Sequence, residues 1–135
     1  MTTATLSPLA ATALVAVGGA AGSAMRYQIG GALASLGSAE RGFPWAILSV
    51  NVIGSLAMGI LFGWLARQGG GTETMRLLLG VGLLGGFTTF SAFSLEIVLL
   101  IQRGDVALAC VYAGASVIAG IIALYLGLIL MGDAA

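Results

Sequence analysis

Four long apolar runs leave this chain of 135 residues almost no choice of environment. They lie at about 9–36, 45–65, 75–101 and 106–131, and a helix needs roughly 20 apolar residues to cross the hydrocarbon core of a bilayer. Connections of a few residues separate them, marked by Pro44 and by the run Gly69, Gly70 and Gly71. The charges agree: five arginines, five acids and no lysine make 7% of the chain, where a soluble domain carries about 25%. Mean hydropathy is +1.11. Such a composition excludes a soluble globular domain, a basic nucleic-acid face and a disordered tail. With no histidine and the single Cys110, the usual zinc, haem and iron–sulfur ligand sets are missing as well. The expectation is one all-α integral membrane domain over 1–135, and not an enzyme. The first run starts without a basic residue and is read as a retained helix rather than a signal peptide.

The loop arginines balance. With four spans, Arg67 and Arg76 fall on one side of the membrane, Arg41 and Arg103 on the other. Two against two gives no orientation by the positive-inside rule. Either the chain is oriented by other means, or copies insert both ways and pair as an antiparallel, dual-topology homodimer.

Within the runs, small and polar residues recur at helical spacing. Gly18, Gly22, Arg26 and Gly30 share one face of the first helix, and Asn51, Ser55, Gly59 and Gly63 share one face of the second. Small residues four apart allow membrane helices to approach closely. Asn51 is an amide in hydrocarbon that must find partners, as interhelical glue or as a pore-lining donor. The stretch from Gly82 through Gly85, Gly86, Thr88 and Thr89 to Ser94 makes a poor helix centre. It predicts a third helix broken near its centre, where freed backbone groups must face protein, water or an ion; packing glycine is the alternative.

Phe90 and Phe93 follow on one helix face, and the positive edges of their rings can line a path for a small anion or simply pack. Thr89, Ser91 and Ser94 add hydroxyl donors nearby. Tyr112 and Ser116, four apart on the last helix, form either a donor track or interhelical hydrogen bonds. Arg26 either reaches a water-filled vestibule, where it attracts anions, or snorkels to the headgroups. Glu96, near the end of the third run, fits an anion path poorly as a fixed charge and serves one only when protonated or at an entrance, as a donor or relay.

Three segments together resemble one family. Gly18-Gly19-Ala20-Ala21-Gly22-Ser23-Ala24-Met25-Arg26-Tyr27, then Val50-Asn51-Val52-Ile53-Gly54-Ser55, then Gly85-Gly86-Phe87-Thr88-Thr89-Phe90-Ser91-Ala92-Phe93-Ser94-Leu95-Glu96 are similar to the Fluc (CrcB) fluoride channels. The resemblance spans nearly the whole chain. It implies a passive fluoride channel of the bacterial inner membrane, built as an antiparallel dual-topology homodimer with two pores and a structural sodium ion at its centre. It further implies pore-lining roles for Asn51, Phe90, Phe93, Tyr112 and Ser116, and a vestibule role for Arg26. The acid after the phenylalanines corresponds to Glu96, and the backbone carbonyls of Gly85 and Thr88 to the sodium ligands. Ile47, where the family often has threonine, and Gly120, where some members have serine, depart from the pattern by one hydroxyl each. The expected partners are fluoride, lipid and a second copy of the chain, with no nucleic acid and no organic cofactor. The rival is a small multidrug-type proton-coupled exporter, which needs a glutamate in its first helix; the first run here has no acid.

Overall fold

The computed structural model describes residues 6–35 and 42–131, and every regular element among them is helical. Helix α1 (Pro8–Leu33) starts at Ser7, whose hydroxyl accepts from the Ala10 N–H at 3.3 Å while Pro8 fills the first turn. Helix α2 (Trp45–Arg67) begins after Pro44 and carries Arg67 in its last turn, where a cation suits the helix dipole. The third span (Glu73–Gln102) is composite: α3 (Glu73–Met75), a π-helical segment (Arg76–Leu84), α4 (Gly85–Phe87) and α5 (Phe90–Gln102). Helix α6 (Val106–Met131) completes the set. The shortest of the four spans has 23 residues. At 1.5 Å per residue it is roughly 35 Å long, against a hydrocarbon core of about 30 Å. All four are long and apolar enough to cross a membrane.

The boundaries differ modestly from the sequence expectation. Helix α2 runs on to Arg67, and the third span starts at Glu73 and ends at Gln102. Position 36, the expected end of the first helix, and Arg41, one of the four balanced arginines, lie outside the described residues. The first and third connections meet at one end of the bundle, where Arg103 Nη2 donates to the Gly42 carbonyl at 3.4 Å. The tight α5–α6 turn needs Gly104, whose φ of 86° is open to residues without a Cβ.

Two glycine-mediated contacts organise the packing. Helix α1 lies on the π-helical segment and α4, and α2 lies on α6. At the first contact Gly18 and Gly22 are buried: a methyl group on Gly22 would run into the Leu83 carbonyl oxygen, and one on Gly18 into that of Leu78. Gly86 faces Gly19 backbone to backbone. At the second, Gly59 lies against Leu124 and Gly127, and Gly127 against Leu56 and Ile60. Hydrocarbon offers no hydrophobic drive between helices, so such close backbone approach is the source of cohesion. Gly30, assigned by spacing to the same face as Gly18, faces open space instead. The true core is small and includes Val50, Leu65, Leu100 and Tyr112, all but fully buried. Outward faces are apolar, with Ile121, Tyr125 and Leu130 of α6 largely exposed.

Candidate functional site

The chain leaves helical geometry at Thr88 (φ −78°, ψ 158°) and Thr89 (φ −149°, ψ 120°), between α4 and α5. Within the stretch expected to make a poor helix centre, Gly85 and Gly86 are helical and the extended residues are the two threonines after them. The physical reason lies in capping. Thr89 Oγ1 accepts from the Ala92 N–H at 3.2 Å and starts α5, a role that suits threonine better than a helix interior does.

Asn51 on α2 holds this junction. Its Oδ1 accepts from the Thr89 N–H at 2.8 Å and its Nδ2 donates to the Thr89 carbonyl at 3.0 Å. Since a backbone N–H can only donate, the contact itself fixes which end of the amide is oxygen. The Thr89 N–H would cover the Gly85 carbonyl in a continuous helix, and Asn51 takes it instead. Of the two roles open to Asn51, the interhelical one is therefore made, and it uses one of the two N–H groups of the amide.

Beside this junction lies a cavity of about 340 Å³ between α2, α5 and α6. Asn51, Thr89, Phe90, Phe93 and Ser116, all singled out from sequence, line it. Phe93 is held between Phe90, centroid to centroid 5.7 Å, and Tyr112 at 5.4 Å; Phe43 meets Tyr112 edge-on at 5.5 Å. Phe90 is 78% exposed, so only one side of its ring is covered by its own chain. The Tyr112 hydroxyl and Ser116 Oγ are buried, and neither has a hydrogen-bond partner among the described residues. Unpaired polar atoms in such surroundings are costly unless something transient satisfies them.

The hydroxyls of Thr88, Ser91 and Ser94 are engaged. Thr88 donates to the Leu84 carbonyl and Ser94 to that of Phe90, each at 3.0 Å. Ser91 is exposed and sits 3.3 Å from Thr89 Oγ1, outside the cavity lining. Arg26 lies elsewhere: its Nε donates to the Gly86 carbonyl at 3.2 Å, joined there by Ser23 Oγ at 3.4 Å. That contact uses one of the five guanidinium N–H groups and leaves the other four for water or headgroups. Glu96 faces a separate cavity of about 220 Å³ with Ile47, Trp45 and Arg103. Spacing alone had put Ser55 on the Asn51 face without a role; it and Met58 also line the large cavity.

Residues 13–128 match the family model described as CrcB-like protein, Camphor Resistance (CrcB). This chain belongs to the CrcB-like family. It is 54% identical over 123 residues to a protein of Novosphingobium aromaticivorans named fluoride-specific ion channel FluC, covering 91% of this chain and 97% of that one. A FluC of Sphingopyxis alaskensis is 54% identical over 117 residues, 87% of this chain and 91% of the relative. One from Caulobacter vibrioides is 50% identical over 118 residues, 86% and 91% of the two chains. With its four membrane-length helices, this CrcB-like protein is a multi-pass membrane protein.

Proposed function

We propose that this CrcB-like protein is a fluoride-selective, passive anion channel of the bacterial inner membrane that lowers intracellular fluoride. The observation that carries the reading is the cavity beside Thr88 and Thr89, lined by the neutral donors Asn51, Ser55 and Ser116 and by Phe90 and Phe93. The FluC names of relatives about half identical over most of the chain support it.

Fluoride is small and strongly hydrated, so a narrow path must replace its water with hydrogen-bond donors. Asn51 Nδ2, Ser116 Oγ and the Tyr112 hydroxyl offer donors without a full charge. The neutrality matters. An unscreened cation in a low-dielectric pore would hold the anion too tightly to release it, and Arg26 is instead tied to a backbone carbonyl. The ring edges of Phe90 and Phe93 add weak positive potential and restrict width. Chloride, larger and a poorer acceptor, recovers less of its dehydration cost at the same donors. Thr89 and Ser91 belong to the approach to this path, and Glu96 acts at the neighbouring cavity as an entrance group or relay.

Assembly completes the path. The exposed face of Phe90 and the apolar surface of α6 call for a cover that a second copy supplies, and the balanced arginines fit an antiparallel, dual-topology homodimer with lipid around it. A structural sodium ion fits the junction chemically. The Thr89 N–H goes to Asn51 and the Ala92 N–H to Thr89 Oγ1, so the carbonyls of Gly85 and Thr88 are left without the amides that would cover them in a continuous helix. Carbonyls freed at a discontinuity within a membrane span are the usual ligands of a monovalent cation. Bound there, sodium would supply a fixed positive charge that holds the end of α4 against the start of α5.

No acid occurs in α1, which disfavours the proton-coupled exporter. The deciding experiment is fluoride efflux from liposomes holding the purified protein, with chloride as control and no imposed proton gradient. Rapid fluoride-selective efflux is expected. Equal chloride flux, or efflux only under a proton gradient, would defeat the proposal.

A further inference from the structure

One hydroxyl in the large cavity has no assigned task. Ser55 lies one helical turn along α2 from Asn51 and lines the same cavity as Ser116. A serine inside a helix commonly donates to the carbonyl four residues back, as Thr12, Thr88 and Ser94 do in this protein. Ser55 makes no such bond, nor any other among the described residues. Its oxygen stands 3.5 Å from the point that a Cβ on Gly120 would occupy. Gly120 in turn follows Ser116 by one turn of α6, so Asn51 and Ser55 on one helix oppose Ser116 and Gly120 on the other. The row of donors Tyr112, Ser116 ends where α6 has no side chain, and the free hydroxyl of Ser55 fills that level from across the cavity.

We infer that Ser55 is an anion-ligating residue of the pore, which continues the donor row of α6 from α2 at the level of Gly120. This rests on the fluoride-channel reading and adds a ligand to it. The free hydroxyl turns its proton toward a passing fluoride, and its position one turn past Asn51 allows transfer from one donor set to the next. Losing a hydrogen bond to a charged group from such a row slows passage about tenfold or more.

The test moves the hydroxyl between helices. Ser55→Ala in the full chain, reconstituted in liposomes, is expected to lower fluoride efflux about tenfold while the protein elutes with the wild-type oligomer size. Gly120→Ser added to Ser55→Ala should restore most of the flux, because among the described residues the atom that the new Cβ meets is the Ser55 oxygen that the first change removes. A packing role for Ser55 gives no such rescue. Should Ser55→Ala assemble poorly, Ser55→Cys keeps the volume with a much weaker donor and is expected to show the same loss. Wild-type flux in Ser55→Ala or Ser55→Cys overturns the inference, as does a double variant no faster than Ser55→Ala. A wild-type protein that conducts no fluoride overturns the channel reading itself, so the two failures are read from different samples.

Discussion

The two glycine contacts of this bundle look alike in sequence and do opposite things. Between α1 and the π-helical segment, Gly18, Gly22, Gly82 and Gly86 bring backbones together until no added atom fits. Between α2 and α6, the same kind of contact at Gly59 and Gly127 gives way, within about one turn of Gly59, to a cavity lined by Asn51, Ser55 and Ser116. The sealed side makes cohesion from missing side chains. The open side uses hydroxyls that the protein leaves unpaired. What separates them is whether the polar groups are engaged: on the sealed side the Gly86 carbonyl accepts from both Arg26 and Ser23, whereas on the open side Ser116 has no partner among the described residues.

The largest effect should come from breaking the seal. Gly22→Ala places a methyl group into the Leu83 carbonyl oxygen, where neither backbone can yield without moving a whole helix. Overpacking of this kind costs about 3 kcal/mol or more. Most of the protein should then be lost to aggregate on size-exclusion chromatography in detergent. A monodisperse Gly22→Ala protein with normal flux would show that the seal is not as tight as described. Next in size is Asn51→Leu, which touches both regions. It leaves the half-buried Thr89 N–H and carbonyl without their partner, at about 1 kcal/mol for each group, and on the channel proposal it removes a pore donor. Fluoride efflux should fall about a hundredfold, with a lower midpoint of thermal unfolding. Asn51→Asp keeps the acceptor for the Thr89 N–H and should recover part of the stability and little of the flux.

How far the sequence reveals these regions depends on the kind of signal each residue carries. Four spans follow from composition and length, because hydrocarbon leaves the backbone few alternatives. The Asn51, Phe90, Phe93 and Ser116 cluster is legible too, since polar or aromatic groups at helical spacing stand out in an apolar run. The junction is legible as a stretch and not residue by residue. Within it Gly85 and Gly86 stay helical, Gly86 pressed against Gly19 of α1, while Thr88 and Thr89 leave the helix and Thr89 caps α5 and meets Asn51. The π-helical turn at 76–84 has no counterpart in any simple periodicity, and the Gly85 N–H reaching five residues back to Gly80 shows up only in three dimensions. Arg26 is similar: its spacing gives the face, yet the carbonyl it binds lies 60 residues away.

Ser116 sharpens the contrast from the open side. Because its oxygen has no hydrogen-bond partner among the described residues, Ser116→Ala breaks no internal bond there, and on the channel proposal it removes a ligand of the anion. Flux should drop about tenfold while stability holds or rises slightly, the opposite of what removing an engaged buried group does. A clear loss of stability in thermal unfolding would reveal a hidden partner and move Ser116 to the structural side. Arg26→Gln belongs to the sealed side and should do the reverse. It weakens one charge-assisted contact at the end of α4, worth roughly 1 kcal/mol, with a change in flux of no more than about threefold.

The smallest effect is the one that isolates geometry from residue type. Gly120→Ala makes the same chemical change as Gly22→Ala, one hydrogen to one methyl group, on a helix of equal length in the same membrane. Yet the new Cβ would meet only Ser55 Oγ, at 3.5 Å, an ordinary contact. Alanine is also the better helix former by about 1 kcal/mol. Unfolding should therefore shift by no more than about 0.5 kcal/mol in the destabilising direction, and fluoride efflux by no more than about twofold. If Gly120→Ala were as damaging as Gly22→Ala, the cavity would have to close in the assembled protein, and the division into a sealed and an open side would fail. If it is silent while Gly22→Ala is not, glycine in this chain has two separate roles, set by which backbone lies opposite rather than by its place in a small-residue pattern.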